Sequence, residues 1–94
     1  NYELGRYENA IKDYNQAIKL NPKYADAFLN RGCVKNLLEK YEDAIADFEE
    51  VIRLDPQEAL AFYNLGISKG ELEKYPEAIK DFNKSIILES QSLT

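Results

Sequence analysis

The chain repeats itself with a period of 34 residues. When residues 25–58 are aligned with residues 59–92, 17 of the 34 positions are identical. A partial copy in Tyr2–Tyr24 keeps the same register through Tyr7, Ala10, Ile11, Asp13, Ile18, Leu20 and Pro22. A fixed period of this length is typical of stacked arrays, in which each unit buries its apolar face against its neighbours. The period therefore predicts an elongated stack of similar units, without indicating what it binds.

The apolar spacing within one copy predicts two helices. Steps of three and four residues connect Ala27, Phe28, Val34, Leu37 and Leu38, and then Tyr41, Ala44, Ile45, Phe48, Val51 and Ile52. The polar pair Glu39-Lys40 separates the two helices. Asp55-Pro56 ends the second, because the residue before a proline is driven out of the helical region. We predict an all-α fold of about five helices.

The same periodicity divides the chain into units. Residues 1–24 are predicted to be the C-terminal half of a first repeat, with its second helix at about residues 7–20. Residues 25–58 and 59–92 are complete repeats, and residues 93–94 form a tail. Because the sequence contains no methionine, we expect a fragment of a longer protein.

The ends of this array carry no polar capping helix in the sequence. We predict exposed apolar faces around Ile11 and Tyr14 at one end and around Ile87 and Leu88 at the other. The hypothesis is that these faces bind another copy of the chain, giving a homo-oligomer, or the remainder of the parent protein.

Composition argues against several functional classes. A net charge of −5 disfavours nucleic acid, which requires clustered lysine and arginine. No apolar stretch approaches the roughly 20 residues of a membrane span. The absence of histidine and the single cysteine disfavour metal sites, an internal disulfide and histidine-dependent catalysis. We therefore predict a protein without cofactor or enzymatic activity. The lone cysteine favours a reducing, cytoplasmic compartment.

The identities between the copies resemble the tetratricopeptide repeat pattern. The matching positions are Phe28-x2-Arg31-Gly32-x2-Lys35, Ala44-x3-Phe48 and Pro56, and then Phe62-x2-Leu65-Gly66-x2-Lys69 and Ala78-x3-Phe82, with Ser90 in place of the proline. The resemblance implies a right-handed superhelix of antiparallel helix pairs. It also implies a concave groove, lined by the first helix of each repeat, that binds a protein or peptide.

The resemblance assigns groove-facing positions residue by residue. They are Asp26, Leu29, Asn30, Cys33, Asn36 and Leu37 in one repeat, and Leu60, Tyr63, Asn64, Ile67, Gly70 and Glu71 in the next. Asn30 and Asn64 lie one repeat apart, so their amides could hold a peptide backbone or bond within their own scaffold. The lysine and arginine clamp by which some family members bind a terminal carboxylate is absent.

Several residues are predicted to have structural roles. Lys35 and Lys69 should form ion pairs with Asp47 and Asp81 inside their own repeats. Arg31, where the family usually has leucine, is interpreted as a local packing variant. Cys33 is interpreted as a small buried apolar residue.

The sequence thus favours a non-catalytic protein–protein interaction module. One alternative is a self-association or scaffold segment that acts through its open ends. Another is a regulatory or substrate-presenting arm of a larger enzyme. RNA binding is disfavoured by the acidic balance.

Overall fold

A computed structural model describes residues 2–92 of the chain, and these form five α-helices without a strand. The helices are α1 (Tyr2–Leu20), α2 (Ala25–Leu37), α3 (Tyr41–Leu54), α4 (Ala59–Glu71) and α5 (Tyr75–Ser92). Each helix packs against the next one in the chain, and α2 also touches α4. The prediction of an all-α stack of about five helices is confirmed. The tail predicted at residues 93–94 lies outside the described residues.

The turns inside the two complete repeats have the same geometry. Glu39 and Glu73 adopt the left-handed backbone conformation, with φ of 61° and 63°. The amides of Lys40 and Lys74 then donate to the carbonyls of the residues five positions earlier, at 2.8 Å in both turns. These bonds satisfy carbonyl groups that a helix end otherwise leaves unpaired. The short polar pair therefore reverses the chain as the sequence indicated.

Helix α1 begins at Tyr2 rather than at about residue 7. Gly5 corresponds in the repeat to Glu39, yet the helix continues through it. Only three described residues precede Gly5, too few to form an antiparallel helix that would pack back on α1. Continuing the helix instead gives their backbone groups hydrogen-bond partners. The turn thus depends on a packed neighbour as well as on local sequence.

The core is continuous between α2, α3 and α4. Its buried members are Leu29, Ala44, Phe48, Val51, Ala61 and Leu65. The Phe48 ring lies directly over Gly32, where an added Cβ would come within 2.7 Å of the ring atom Cε1. Phe82 and Gly66 repeat this arrangement at the same 2.7 Å. The recurring glycine therefore has a packing reason.

Candidate binding groove

The first helices of the two complete repeats, α2 and α4, lie side by side and form one surface. A depression of about 320 Å³ opens between them. It is lined by Cys33, Asn36, Leu37, Tyr41, Asn64, Ile67 and Glu71. All of these except Tyr41 were predicted from the sequence to face the groove. Tyr41 is the first residue of α3 and was not among the predicted groove residues.

A second depression, of about 450 Å³, lies between α4 and α5. It is lined by Leu60, Tyr63, Phe82, Ser85, Ile86 and Glu89. Leu60 and Tyr63 were predicted groove residues. The predicted positions Asp26, Leu29, Asn30 and Gly70 line neither depression.

Leu29 offers the groove little surface, contrary to its predicted position. It is only 9% exposed and belongs to the core, where Ala61 and Leu65 of α4 also lie. Tyr63, one repeat later, is 49% exposed. The next repeat covers Leu29. No further helix packs beyond α5 in the described chain, so Tyr63, at the same repeat position, stays exposed.

A polar network holds α2 and α4 together beneath the first depression. The buried Ser68 hydroxyl donates to Asn36 Oδ1 at 2.6 Å, and Asn36 Nδ2 donates to the carbonyl of Asn64 at 3.4 Å. Asn64 Nδ2 donates to the Leu60 carbonyl of its own helix at 2.9 Å. These amides thus make bonds within the scaffold, while Asn30 is exposed. Contact of Asn30 or Asn64 with a ligand stays a prediction.

Both predicted ion pairs are present. Lys35 Nζ lies 3.1 Å from Asp47 Oδ2, and Lys69 Nζ lies 2.9 Å from Asp81 Oδ2. Each pair joins the first helix of a repeat to the second. Asp47 and Asp81 recur one repeat apart because each joins the two helices of its own repeat.

Arg31 does more than fill space. Its guanidinium donates from Nε and Nη2 to the two carboxylate oxygens of Asp47, at 2.9 and 2.6 Å. The Nη1 group donates to Asn15 Oδ1 of α1 at 2.8 Å, and the guanidinium carbon lies 5.4 Å from the centre of the Phe28 ring. One side chain therefore links three helices. The interpretation as a packing variant missed Asn15, which has no distinguishing sequence signal.

Two titratable groups in the first depression have shifted pKa values. Burial raises the pKa of the Cys33 thiol, so the reactive thiolate is disfavoured. Partial desolvation and the negative charge of Glu71 raise the pKa of Tyr41, whose hydroxyl donates to Glu71 Oε2 at 3.4 Å. The depression thus combines apolar surface, amides and one carboxylate.

No cluster of three or more potential metal ligands occurs within residues 2–92. In the same part of the chain, none of the helices has the length and apolarity needed to cross a membrane.

Stacked antiparallel helix pairs that leave one set of helices facing a shared groove define a helical-repeat protein. Two family models match the sequence: one described as TPR repeat covers residues 1–37, and one described as tetratricopeptide repeat covers residues 25–58. The chain belongs to the tetratricopeptide repeat family. The right-handed superhelical stack inferred from the resemblance is accordingly confirmed.

Solved structures are similar over nearly the whole chain. The crystal structure of MamA has a TM-score of 0.90 at 28% identity, with 99% of this chain and 54% of the MamA chain covered. The second TPR of Spaghetti (RPAP3), bound to the HSP90 peptide SRMEEVD, has a TM-score of 0.86 at 32% identity, with 93% and 81% covered. The Arabidopsis OM64 TPR domain has a TM-score of 0.89 at 29% identity, with 96% and 74% covered. The chain thus spans about half the length of MamA. No protein with a curated description matches it.

Proposed function

We propose that this chain is a non-catalytic protein–protein interaction module that binds a peptide or helix of its partner along α2 and α4. The observation that carries the proposal is the depression between these helices, where Cys33, Leu37 and Ile67 provide apolar surface beside the polar Asn36. An apolar site with a few fixed polar groups suits a peptide side chain.

The similar RPAP3 domain supports peptide binding by this scaffold, since that domain is bound to a peptide. The peptide in that complex is acidic, and here the clamp cations expected for such a ligand are missing. The positions at which the clamp has its cations are occupied here by Leu29, Leu60 or Asn64, depending on the register of the alignment. We therefore propose a partner segment that is bound through apolar contacts rather than through a terminal carboxylate.

A selection from a random-peptide display library would test this function. Peptides enriched on the wild-type protein should lose affinity by at least about tenfold on Ile67→Asp, because a charge in an apolar contact costs 1.4 kcal/mol or more. Affinity can be measured by fluorescence anisotropy with the synthetic peptides.

Ile79→Asp provides the matched control. Ile79 is an exposed isoleucine on α5 that lines neither depression, so its replacement should leave affinity unchanged. Equal binding to both aspartate variants, or no enrichment above the Ile67→Asp background, would refute binding in the groove.

A second candidate function is self-association through the apolar surface that α4 and α5 expose around the second depression, which we call the open face. Leu60, Tyr63 and Ile86 are exposed around the depression of about 450 Å³. Ile52, which corresponds to Ile86, instead packs against the core between α3 and α4. We propose that a helix of a second copy covers the open face in the way that α4 covers the previous repeat.

The sequence predicted an exposed apolar face at each end of the array, and the structure corrects the residues expected there. Ile87 is exposed, but Leu88 is buried, because it points toward the helix pair rather than away from it. At the other end, Ile11 and Tyr14 are half-buried.

Sedimentation velocity would test self-association. The wild type should show a mass that rises with concentration, and Ile86→Lys should remain monomeric because a lysine cannot be buried unpaired at the contact. Leu37→Lys should associate like the wild type, because Leu37 is an exposed leucine of α2 that does not line the depression between α4 and α5. A wild-type protein that stays strictly monomeric at high concentration would exclude this function. The arm of a larger enzyme stays an alternative, which the complete reading frame that encodes the chain would decide.

A further inference from the structure

The charges on the two groove-forming helices are unequally distributed. All the cations of α2 and α4, which are Arg31, Lys35 and Lys69, are paired with Asp47 or Asp81 on the neighbouring helices. The acids of α2 and α4 are Asp26 and Glu71. Both are exposed and, among residues 2–92, neither forms an ion pair. The groove helices therefore present negative charge to a partner.

Glu71 places one of these charges at the edge of an apolar depression. It shares the lining with Cys33, Leu37 and Ile67. In the described chain its carboxylate accepts one side-chain hydrogen bond, the 3.4 Å bond from the Tyr41 hydroxyl. A carboxylate has about four acceptor positions, so it retains capacity for a cationic donor.

This combination matches a long aliphatic side chain that ends in a cation. The methylene groups of lysine or arginine bury favourably against apolar surface while the charged end stays near water. A charge-assisted hydrogen bond to the carboxylate would fix that end. The volume of about 320 Å³ lies at the lower limit of ligand pockets, about 300–1,000 Å³, and suits one side chain better than a whole helix.

We propose that the first depression, between α2 and α4, is a subsite for one lysine or arginine side chain of the bound partner segment, with Ile67 contacting its methylene groups and Glu71 its charged end. The inference rests on the proposed peptide-binding function and adds the charge of the ligand to it. A partner segment with an acidic residue at this position is repelled by Glu71.

The probe is n-butylammonium, which reproduces the lysine side chain without its backbone. Titration into ¹⁵N-labelled protein should produce saturable changes in the amide NMR signals of Cys33, Leu37, Ile67 and Glu71 at millimolar concentrations. Glu71→Gln should raise the apparent Kd about fivefold, because it removes a partly exposed charge pair.

Two controls isolate the carboxylate. Asp26→Asn removes the other exposed acid of the groove helices, which lies outside the depression, and should leave the Kd unchanged. Pentanoate, with a similar chain and the opposite charge, should produce no saturable change in these signals. Circular dichroism should show that Glu71→Gln keeps the wild-type fold, as expected for an exposed side chain.

Three results would overturn the subsite: equal affinity of wild type and Glu71→Gln, equal effects of pentanoate, or signal changes away from the depression. Failure of the proposed function would look different. Selected peptides that depend on Ile67 but are indifferent to Glu71→Gln would refute the subsite and retain peptide binding. Butylammonium binding that depends on Glu71, with no peptide enriched, would retain the cation site and refute peptide binding.

Discussion

Replacing Asp47 with alanine should lower the free energy of unfolding by about 3–5 kcal/mol, because the change leaves two largely buried cations without their counter-charge. Asp47 is 3% exposed, and the side chains of its partners Arg31 and Lys35 are 18% and 17% exposed. Urea denaturation followed by circular dichroism at 222 nm, a wavelength that reports on helix content, would measure the loss.

Asp81→Ala is the matched control one repeat later. Among residues 2–92, Asp81 has a single cationic partner, Lys69, because Leu65 occupies the position of Arg31. Its side chain is also more exposed than that of Asp47. We expect a smaller loss of about 1.5–3 kcal/mol, the contribution of one hydrogen bond to a charged group. Equal losses for the two variants would show that the second cation of Asp47 contributes nothing.

Phe48→Ala should have an effect of similar size, about 3–5 kcal/mol, because it opens a cavity in the centre of the core. The Phe48 ring is fully buried and packs directly on Gly32. The surrounding helices close such a cavity only in part, since the ring reaches into a space shaped by the glycine. Thermal and urea unfolding would both report the change.

Phe82→Ala compares the same ring at the open end. Phe82 also packs on its glycine, but it is half-buried and lines the depression beside Ile86. We expect a smaller loss of about 2 kcal/mol, because full burial of a large apolar side chain contributes about 1.5–3 kcal/mol and Phe82 is buried only in part. A loss as large as that of Phe48→Ala at low protein concentration would contradict the open face. The same large loss appearing only at high protein concentration would indicate that a second copy covers the ring.

Local interactions explain what could be predicted from the sequence. The helix ends follow from the residues before Pro22 and Pro56, and the turns from the pairs that begin with Glu39 and Glu73. The ion pairs of Lys35 and Lys69 could be predicted because each lies within one repeat, where the helix pair fixes the geometry. Most residues that line the first depression were named from the family resemblance, which assigns positions in both repeats, and their role in binding stays a prediction.

Residues whose surroundings depend on a neighbouring repeat could not be predicted in this way. Leu29 and Tyr63 share a repeat position, yet one is buried by α4 and the other is exposed. The bond from Arg31 to Asn15 depends on how α1 is placed against α2. Gly5 shows the same dependence, because the helical backbone continues through a position that forms a turn in the later repeats.

The bonds of Arg31 have a consequence for the order in which the repeats unfold. The first complete repeat has two cations paired with Asp47 and is bonded to α1, whereas the described part of the second has a single ion pair between its helices and a half-exposed Phe82 ring. In an array whose units contact only their neighbours, such inequality makes the second complete repeat the one of the two that opens more readily. A partner lying across both depressions would therefore bridge a firm unit and a looser one, and its binding would suppress the opening of the looser end.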